Sequence, residues 1–519
     1  MKYVAFILMF FYAVASNEAV SQPISLRIDW AATVRNIPEN AYGVNSPANF
    51  IPAYSNDGVF MNNLRRITQK KGLIRLHGWG MIDENSPESW LDNGEWNATK
   101  IQKALTPLIQ NGYEVMINIP SGVRGEDDYQ DPLEFARFCA DLVQIVNIDN
   151  HLNVKYWEIP NEREADFISP GLTVSQMSNL IRTASQAMKL VDSTILVGGS
   201  ATAWVNHDYL TPLIQITPEM DFVTCHTYAG DCTNSLPEIY DNAQEAISEL
   251  GILRQKINEL PDSTYRPIFL TEYNLSYQGC PDIQSYKGVV YDAIIMTQSI
   301  KSGIDATCYW NVAPYSDMSI IEGDDLVDNA YLYEIMNTHF HGEMVQSNSS
   351  DSTKILVYAT KNTATHDYSF CLINRTNSDQ HIMLHIEGFT PDTLHRYLWD
   401  ASHDYLSDTK SWTQLNNGNF TLSPYSVTVF VGRDKSLNNG NHIGLNNCLV
   451  SPNPTSGLLY LKSDENIKAY QIFTSMGRLI KNGVGAGNVI NLSGYPDGLY
   501  FIRLYSRSNH STEVTITKE

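Results

Sequence analysis

Positive charge is scarce in this chain. Thirty-five Lys and Arg stand against 57 Asp and Glu, a formal net charge of −22 over 519 residues. No basic run interrupts that balance, which argues against nucleic acid or an anionic membrane as partner and leaves room for neutral ligands. Long apolar runs are scarce too. The candidate at Val4–Ala15 is too short to span a bilayer. With Lys2 before it and small residues after it, it reads as a secretory signal over 1–21, cleaved after Ala19-Val20-Ser21 or alternatively after Ala13-Val14-Ala15. No other segment suits a transmembrane anchor. Cysteine is sparse: Cys139, Cys225, Cys232, Cys280, Cys308, Cys371 and Cys448 fit no zinc-ligand spacing. Cys139, Cys225, Cys308 and Cys371 fall inside apolar patterns and read as small core residues. Cys232 and Cys280 lie in polar loops past the sixth and seventh strands counted below. They are a disulfide candidate, since export permits one, and two free thiols are the equal alternative.

The length exceeds one compact core, so two to four domains are expected. Hydrophobic content of 43% with 18% charged residues suits folded domains rather than disorder. From about residue 41 to 340, short β-branched runs alternate with helical patterns, the signature of βαβ units. Eight strands are predicted: Ala41–Asn45, Leu73–His77, Glu114–Ile119, Val154–Pro160, Thr194–Gly199, Met220–His226, Pro267–Glu272 and Ala306–Asn311. Pro132–Asn147 and Thr173–Leu190 carry apolar residues at three- and four-residue steps, the second opening on Thr173 as N-cap. No Gly-rich nucleotide loop follows the first strand. The expectation is α/β: a (β/α)8 TIM barrel over 22–340.

After His341 the period changes. Lys354–Ala359, Tyr368–Asn374, His381–Ile386, Arg396–Trp399, Asn419–Leu422 and Ser426–Val431 read as an antiparallel β-sandwich over 341–435, with 22–35 a candidate extra strand. Residues 436–446 are Asn/Gly-rich and read as a linker. Residues 447–519 form a small all-β unit built around Pro452-Asn453-Pro454, Met476-Gly477-Arg478 and Pro496-Asp497-Gly498 turns. The order and spacing of these motifs resemble the type A C-terminal sorting domain of the type IX secretion system. That resemblance implies the type IX machinery as partner and a secreted or cell-surface destination.

Two acidic residues close apolar runs: Glu162 in Tyr156-Trp157-Glu158-Ile159-Pro160-Asn161-Glu162, and Glu272 in Ile268-Phe269-Leu270-Thr271-Glu272. They fall at strands four and seven, across the mouth of an eight-stranded barrel, where barrel chemistry sits. A pair of carboxylates is what glycosidic-bond cleavage requires: one acid for the leaving oxygen, one carboxylate for the developing positive centre. Asn161-Glu162 and Thr271-Glu272-Tyr273 resemble the acid/base and nucleophile strands of clan A glycoside hydrolases. Gly43-Val44-Asn45, Arg75, His226-Thr227-Tyr228 and Trp310 stand in order at other clan-like positions. With the sandwich, the nearest likeness is to the β-xylosidase/α-iduronidase family or its arabinofuranosidase and glucuronidase relatives. Pro160 departs from the Trp-Asn-Glu-Pro pattern of many members.

The resemblance implies a retaining O-glycosyl hydrolase acting on a polysaccharide or oligosaccharide without cofactor or metal. Glu162 is the expected acid/base, its proton retained near neutrality by repulsion from Glu272. Glu272 is the expected nucleophile, kept ionised by Arg75 and Tyr228. Asn161 is expected to donate to the sugar, with His226 and Trp310 shaping the pocket floor. His77, Asn118, Trp79 and Tyr309 are weaker candidates for substrate contact, and Trp90, Trp96, Trp204 and Tyr315 for outer subsites. Glu158 is a rival acid. Gly125-Glu126-Asp127-Asp128 reads as a solvated loop rather than a calcium site. The alternatives are a non-catalytic glycan-binding protein on a glycosidase fold, and a transglycosylase using the same residues.

Overall fold

Eight parallel strands close into a barrel in a computed structural model that describes residues 22–47, 58–69, 72–78, 80–82, 89–120, 131–262, 264–313, 316–388, 391–433, 449–462, 467–474, 479–484, 489–506 and 511–519. The signal segment, the linker, Cys448, Trp79, Tyr315 and the 125–128 loop lie outside the described residues. The barrel strands are Tyr42–Pro47, Leu73–His77, Glu114–Asn118, Tyr156–Glu158, Leu196–Thr202, Val223–Tyr228, Ile268–Asn274 and Ala306–Tyr309, with the eighth pairing back onto the first. The helix Val174–Val191 starts where its sequence says. Thr173 caps it in a reciprocal box with Gln176, and Met177, Leu180, Ile181, Ala184 and Met188 form its buried stripe.

The barrel interior is layered. Leu73, Met116, Tyr156, Phe222, Phe269, Ala306 and Cys308 form an apolar plug. Inward positions recur every second residue, so Arg75, Asn118 and Glu158 come next above Leu73, Met116 and Tyr156. All three are fully buried. The polar layer thus rests on an apolar floor.

Both acidic residues depart from the expected strand ends. The fourth strand stops at Glu158, and Glu162 sits four residues beyond it at φ +48°. The seventh strand runs two residues past Glu272, to Asn274. Its pairing with both neighbours slips after Leu270. That bulge inserts one residue, so Glu272 turns inward although Phe269, three residues earlier, also faces in. The fifth strand slips as well, between Gly199 and Thr202. There a Cβ on Gly199 would lie 2.0 Å from the Ile159 carbonyl oxygen. Glycine is what lets the fifth strand pass the turn that leads to Glu162.

The sandwich is a single nine-stranded sheet. Its order is His403–Ser411, Thr393–Asp400, Ser426–Arg433, Asp367–Asn374, Ile355–Asn362, Gly342–Ser349, Ile24–Ile37, Gln380–Glu387 and Asn419–Leu422. It folds over on itself. Phe420 near one edge packs its ring 5.9 Å from that of Phe430, six strands away in the order. The Ile24–Ile37 strand joins this sheet and pairs parallel with Gln380–Glu387, the one departure from antiparallel order. Barrel and sandwich meet through Tyr42 and Tyr358 hydroxyls 3.1 Å apart and through Lys301, whose Nζ donates to the Ser347 and Val357 carbonyls. The C-terminal unit is separate, with a three-stranded and a four-stranded sheet around Leu459, Leu461, Ile472, Ile490, Ile502 and Leu504. No helix among the described residues is long and apolar enough to cross a membrane.

Gly199→Ala is expected to destabilise the protein by about 1–3 kcal/mol, because the new methyl meets backbone that cannot step aside. Urea unfolding of both proteins measures this, and an unchanged midpoint would contradict the close approach.

Candidate active site

Arg75 sits at the centre of the polar layer. Its Nε donates to Glu158 Oε2 at 2.6 Å, one terminal nitrogen to Glu272 Oε1 at 2.7 Å and Asn45 Oδ1 at 3.0 Å, and the other to Asn161 Oδ1 at 2.8 Å. Burial alone would make this guanidinium lose its proton more readily. The two carboxylates reverse that and raise its pKa. Asn118 Nδ2 also donates to Glu158 Oε2, at 2.8 Å, and Glu158 Oε1 has no partner among the described residues. Glu158 therefore lies under the site, paired and sealed from water, and does not line the cavity.

Above this layer opens a cavity of about 690 Å³. His77, Asn161, Glu162, Tyr228, Glu272 and Trp310 line it, with Phe167, Ala203, Trp204 and Tyr277. Tyr228 donates its hydroxyl to Glu272 Oε2 at 2.7 Å, so each oxygen of Glu272 has a strong donor. Burial first, then the charge of Glu272, pushes the Tyr228 phenol well up, which keeps it a donor. His77 Nε2 is 3.7 Å from Glu272 Oε1, and its ring meets Trp310 edge-on at 5.1 Å. Burial and the nearby Arg75 and His226 charges hold His77 well below the ordinary histidine value.

His226 stands between the two acids. Its Nδ1 is 2.7 Å from Glu162 Oε1 and its Nε2 is 3.6 Å from Glu272 Oε1. One oxygen of each glutamate and one nitrogen of this ring all lie within 4.8 Å of one another. Such a trio could offer three atoms to a metal ion. Here Arg75, Tyr228 and His226 already occupy the carboxylate oxygens, which makes it a hydrogen-bonded carboxylate pair. The expectation that Glu162 keeps its proton through repulsion by Glu272 does not hold, because His226 stands between them. Burial pushes its pKa up, but the hydrogen bond and charge of His226 outweigh that and hold it below the usual 4.5. His226 is raised above 6.5 in turn: burial opposes its charge, and the two glutamates overcome that.

Several expected contacts are absent. Asn118 faces Glu158 and the Gly78 amide rather than the cavity. Arg75 and His226 act from below the lining. Tyr309 and Trp90 are buried, and Trp96 stacks on Phe138 at 4.2 Å, so none of the three reaches the site. Phe167 and Tyr277 were not foreseen, because both come from irregular loops. Cys232 and Cys280 are free thiols lying side by side, Cys232 exposed and Cys280 buried. Burial and the neighbouring Cys232 push the Cys280 thiol up to about 12. Cys139, Cys225, Cys308 and Cys371 are buried, as core residues would be.

The Glu162–His226 pair predicts a pH window. The lowered Glu162 stabilises the fold above pH 4.5 and loses that as pH falls through its folded pKa. The raised His226 stabilises it below pH 6.5 and loses that as pH rises. The stability lost in His226→Asn is therefore expected to be largest between about pH 4.5 and 6.5 and to shrink on both sides. Denaturant unfolding at pH 4, 5.5 and 8, values chosen around about that window, checks it, and a pH-independent difference would contradict the ion pair.

Residues 136–369 match the family described as glycosyl hydrolases family 39, and residues 449–518 match the secretion system C-terminal sorting domain. A β-xylosidase of Caldicellulosiruptor saccharolyticus is 26% identical over 269 residues, 46% of this chain and 52% of that protein. The chain thus spans about half the length of the curated relative it matches. Among solved structures, an α-L-arabinofuranosidase from Thermotoga maritima superposes with TM-score 0.61 at 14% identity, over 79% of this chain and all of that one. A family 39 β-xylosidase from Caulobacter crescentus gives 0.56 at 13%, over 79% of this chain and 99% of that one. At such identities these two speak for the fold. Residues 136–369, which run from the middle of the barrel into the sandwich, are thus similar to glycosyl hydrolases family 39, and residues 449–518 to a secretion-system sorting domain.

Proposed function

We propose that the protein is an exported glycosidase that cleaves O-glycosidic bonds with retention, using Glu272 as nucleophile and Glu162 as acid/base. The observation that carries this reading is the approach of the two carboxylates to within 4.8 Å across a cavity of sugar size. Retaining enzymes hold the pair about 5 Å apart, inverting ones wider. In the first step a Glu272 oxygen bonds to the anomeric carbon as the carbon–oxygen bond to the leaving group breaks. The proton held by the Glu162–His226 pair goes to the leaving oxygen. Water then attacks the same carbon, gives its proton to Glu162 and releases Glu272. The Glu162 side chain is 26% exposed to solvent. A bound sugar would remove that water, and burial is the influence that raises its proton affinity. Asn161 accepts from Arg75 through Oδ1, which leaves Nδ2 to donate to the sugar.

β-D-Xylosides are the first substrates to test, since the sequence relative is a β-xylosidase. The Sec signal and the sorting domain support export across both membranes with loss of the tail. Glu272→Ala is expected to lower kcat by about 10⁴-fold or more, and azide to restore turnover with an inverted glycosyl azide as product. Near-normal hydrolysis by the variant would overturn the assignment. Glycan binding without new reducing ends in the wild type would favour the non-catalytic alternative.

The loops carrying Cys232 and Cys280 are tied by the Tyr277 amide donating to the Gly230 carbonyl at 3.2 Å. Oxidation of the adjacent thiols after export is expected to crosslink these loops. A non-reducing peptide map of protein recovered from the medium should contain the linked pair; two free thiols there would refute it.

A further inference from the structure

Tryptophan is placed differently in one corner of the sandwich. Trp30 and Trp399 are buried in that sheet, whereas Trp412 is only partly covered by its core and lines a hollow of about 460 Å³. None of the lining residues belongs to the active-site cavity. The hollow lies over the parallel pair Ile24–Ile37 and Gln380–Glu387. Leu26 and Leu384 point into the core, so Arg27 and His385, opposite each other, point out. Arg27 makes a flat fork with Glu387: Nε lies 2.7 Å from Oε1, and one terminal nitrogen donates to Oε2 at 2.8 Å. Both side chains are about half exposed, and the other terminal nitrogen takes no part in the fork.

The turn that presents Trp412 is held from several sides. The Ser411 amide donates to Gln414 Oε1 at 2.7 Å and the Gln414 amide to Ser411 Oγ at 3.2 Å. The Trp412 amide donates to the Asp392 carbonyl, and the Trp412 carbonyl accepts from the Asn417 amide, each at 3.1 Å. Asn416, Asn417 and Gly418 stand at φ +48°, +54° and +95°, the one run of three left-handed residues among those described. Asparagine visits this region as a single residue, and a run of them persists only where neighbours fix it. A Cβ on Gly418 would lie 2.4 Å from the Leu384 carbonyl oxygen and 3.2 Å from the Trp412 ring. Glycine therefore lets the turn sit directly on the strand under the hollow and against the indole.

An indole beside a planar donor–acceptor fork suits a ring with one apolar face and hydroxyls along its edge. The face stacks on Trp412, while neighbouring hydroxyls donate to Glu387 and accept from Arg27. Charge speaks against an anion. Glu387 already pairs with Arg27, and Asp29 follows two residues along the same strand, so no net positive charge awaits a phosphate or a carboxylate. We propose that the hollow is a second glycan site, which binds one unit of a neutral polysaccharide without cutting it and so holds the protein on the polymer. The assignment needs no reaction and stands apart from the roles of Glu162 and Glu272.

Affinity electrophoresis of the full chain tests this, with Glu272→Ala in every sample to spare the polymer. The gels contain arabinoxylan, mixed-linkage β-glucan or galactomannan, which are neutral, or polygalacturonate, which is anionic. At least one neutral polymer is expected to retard the protein, and polygalacturonate not to. Trp412→Ala is expected to raise the apparent Kd for that polymer about tenfold or more, and Trp412→Phe, which keeps a ring, to recover most of it. Arg27→Met, in an exposed ion pair that contributes little to stability, should weaken retardation too. Binding in the active-site cavity would survive both substitutions, so unchanged retardation in either Trp412→Ala or Arg27→Met overturns the second site. So does a protein that no neutral polymer retards, or that polygalacturonate retards more strongly. Urea unfolding reports whether the variants are folded, and if Trp412→Ala is not, Arg27→Met decides alone.

Discussion

The guanidinium of Arg75 is the interaction on which the rest of the site depends. It is fully buried and touches Glu158, Glu272, Asn45 and Asn161 at once. A buried carboxylate without a counter-charge is costly, and a single missing partner costs more than the pair contributes. Here one cation serves two carboxylates, Asn118 adds a second donor to Glu158 Oε2 and Tyr228 one to Glu272 Oε2. Arginine suits the place because its planar fork presents five N–H groups in fixed directions. Lysine could hold the charge but could not set Glu272 and Asn161 at once. The first strand joins the same knot, since Asn45 Nδ2 donates to the Thr271 carbonyl at 2.6 Å beside the bulge.

Regular barrel geometry does not deliver either proposed catalytic oxygen. Parity would turn Thr271 rather than Glu272 inward, and the fourth strand ends before Glu162. A bulge in strand seven and a left-handed turn at Glu162 make the two corrections. Both irregularities are anchored. Asn45 holds the carbonyl before Glu272, and the Glu162 amide donates to Ala201, itself at φ +47° with its amide on Thr224 Oγ1. Local strain at a site persists only where such neighbours over-determine it.

Much of this was legible in the residues. The eight strands, the Thr173 cap and the meeting of Glu162 with Glu272 follow from apolar runs, capping chemistry and order along the barrel, and Arg75 and Tyr228 as donors to Glu272 came from the family resemblance. What escaped has physical causes. A bulge leaves no mark in a run such as Ile268-Phe269-Leu270-Thr271-Glu272. Gly342–Ser349 and His403–Ser411 are strands whose polar residues hide the alternation, because both are half-exposed. Trp90 and Trp96 looked like subsite rings only because loops cannot be folded from pattern. The proton on Glu162 was misjudged because repulsion by Glu272 was counted and the intervening His226 was not.

That misjudgement bears on how the site works. Repulsion between two carboxylates under 5 Å apart would raise one pKa if nothing stood between them. His226 converts the repulsion into a shared attraction, reaching Glu162 with Nδ1 and Glu272 with Nε2. In the proposed mechanism the proton is thereby held on His226, one hydrogen bond away from Glu162. The tie is directional. Glu162 keeps contact with water and with any arriving sugar, whereas His226 has neither, so a ligand can change the balance only from the Glu162 side. In the proposed mechanism, a sugar that fills the cavity would bury the Glu162 carboxylate further, and burial favours its protonated form.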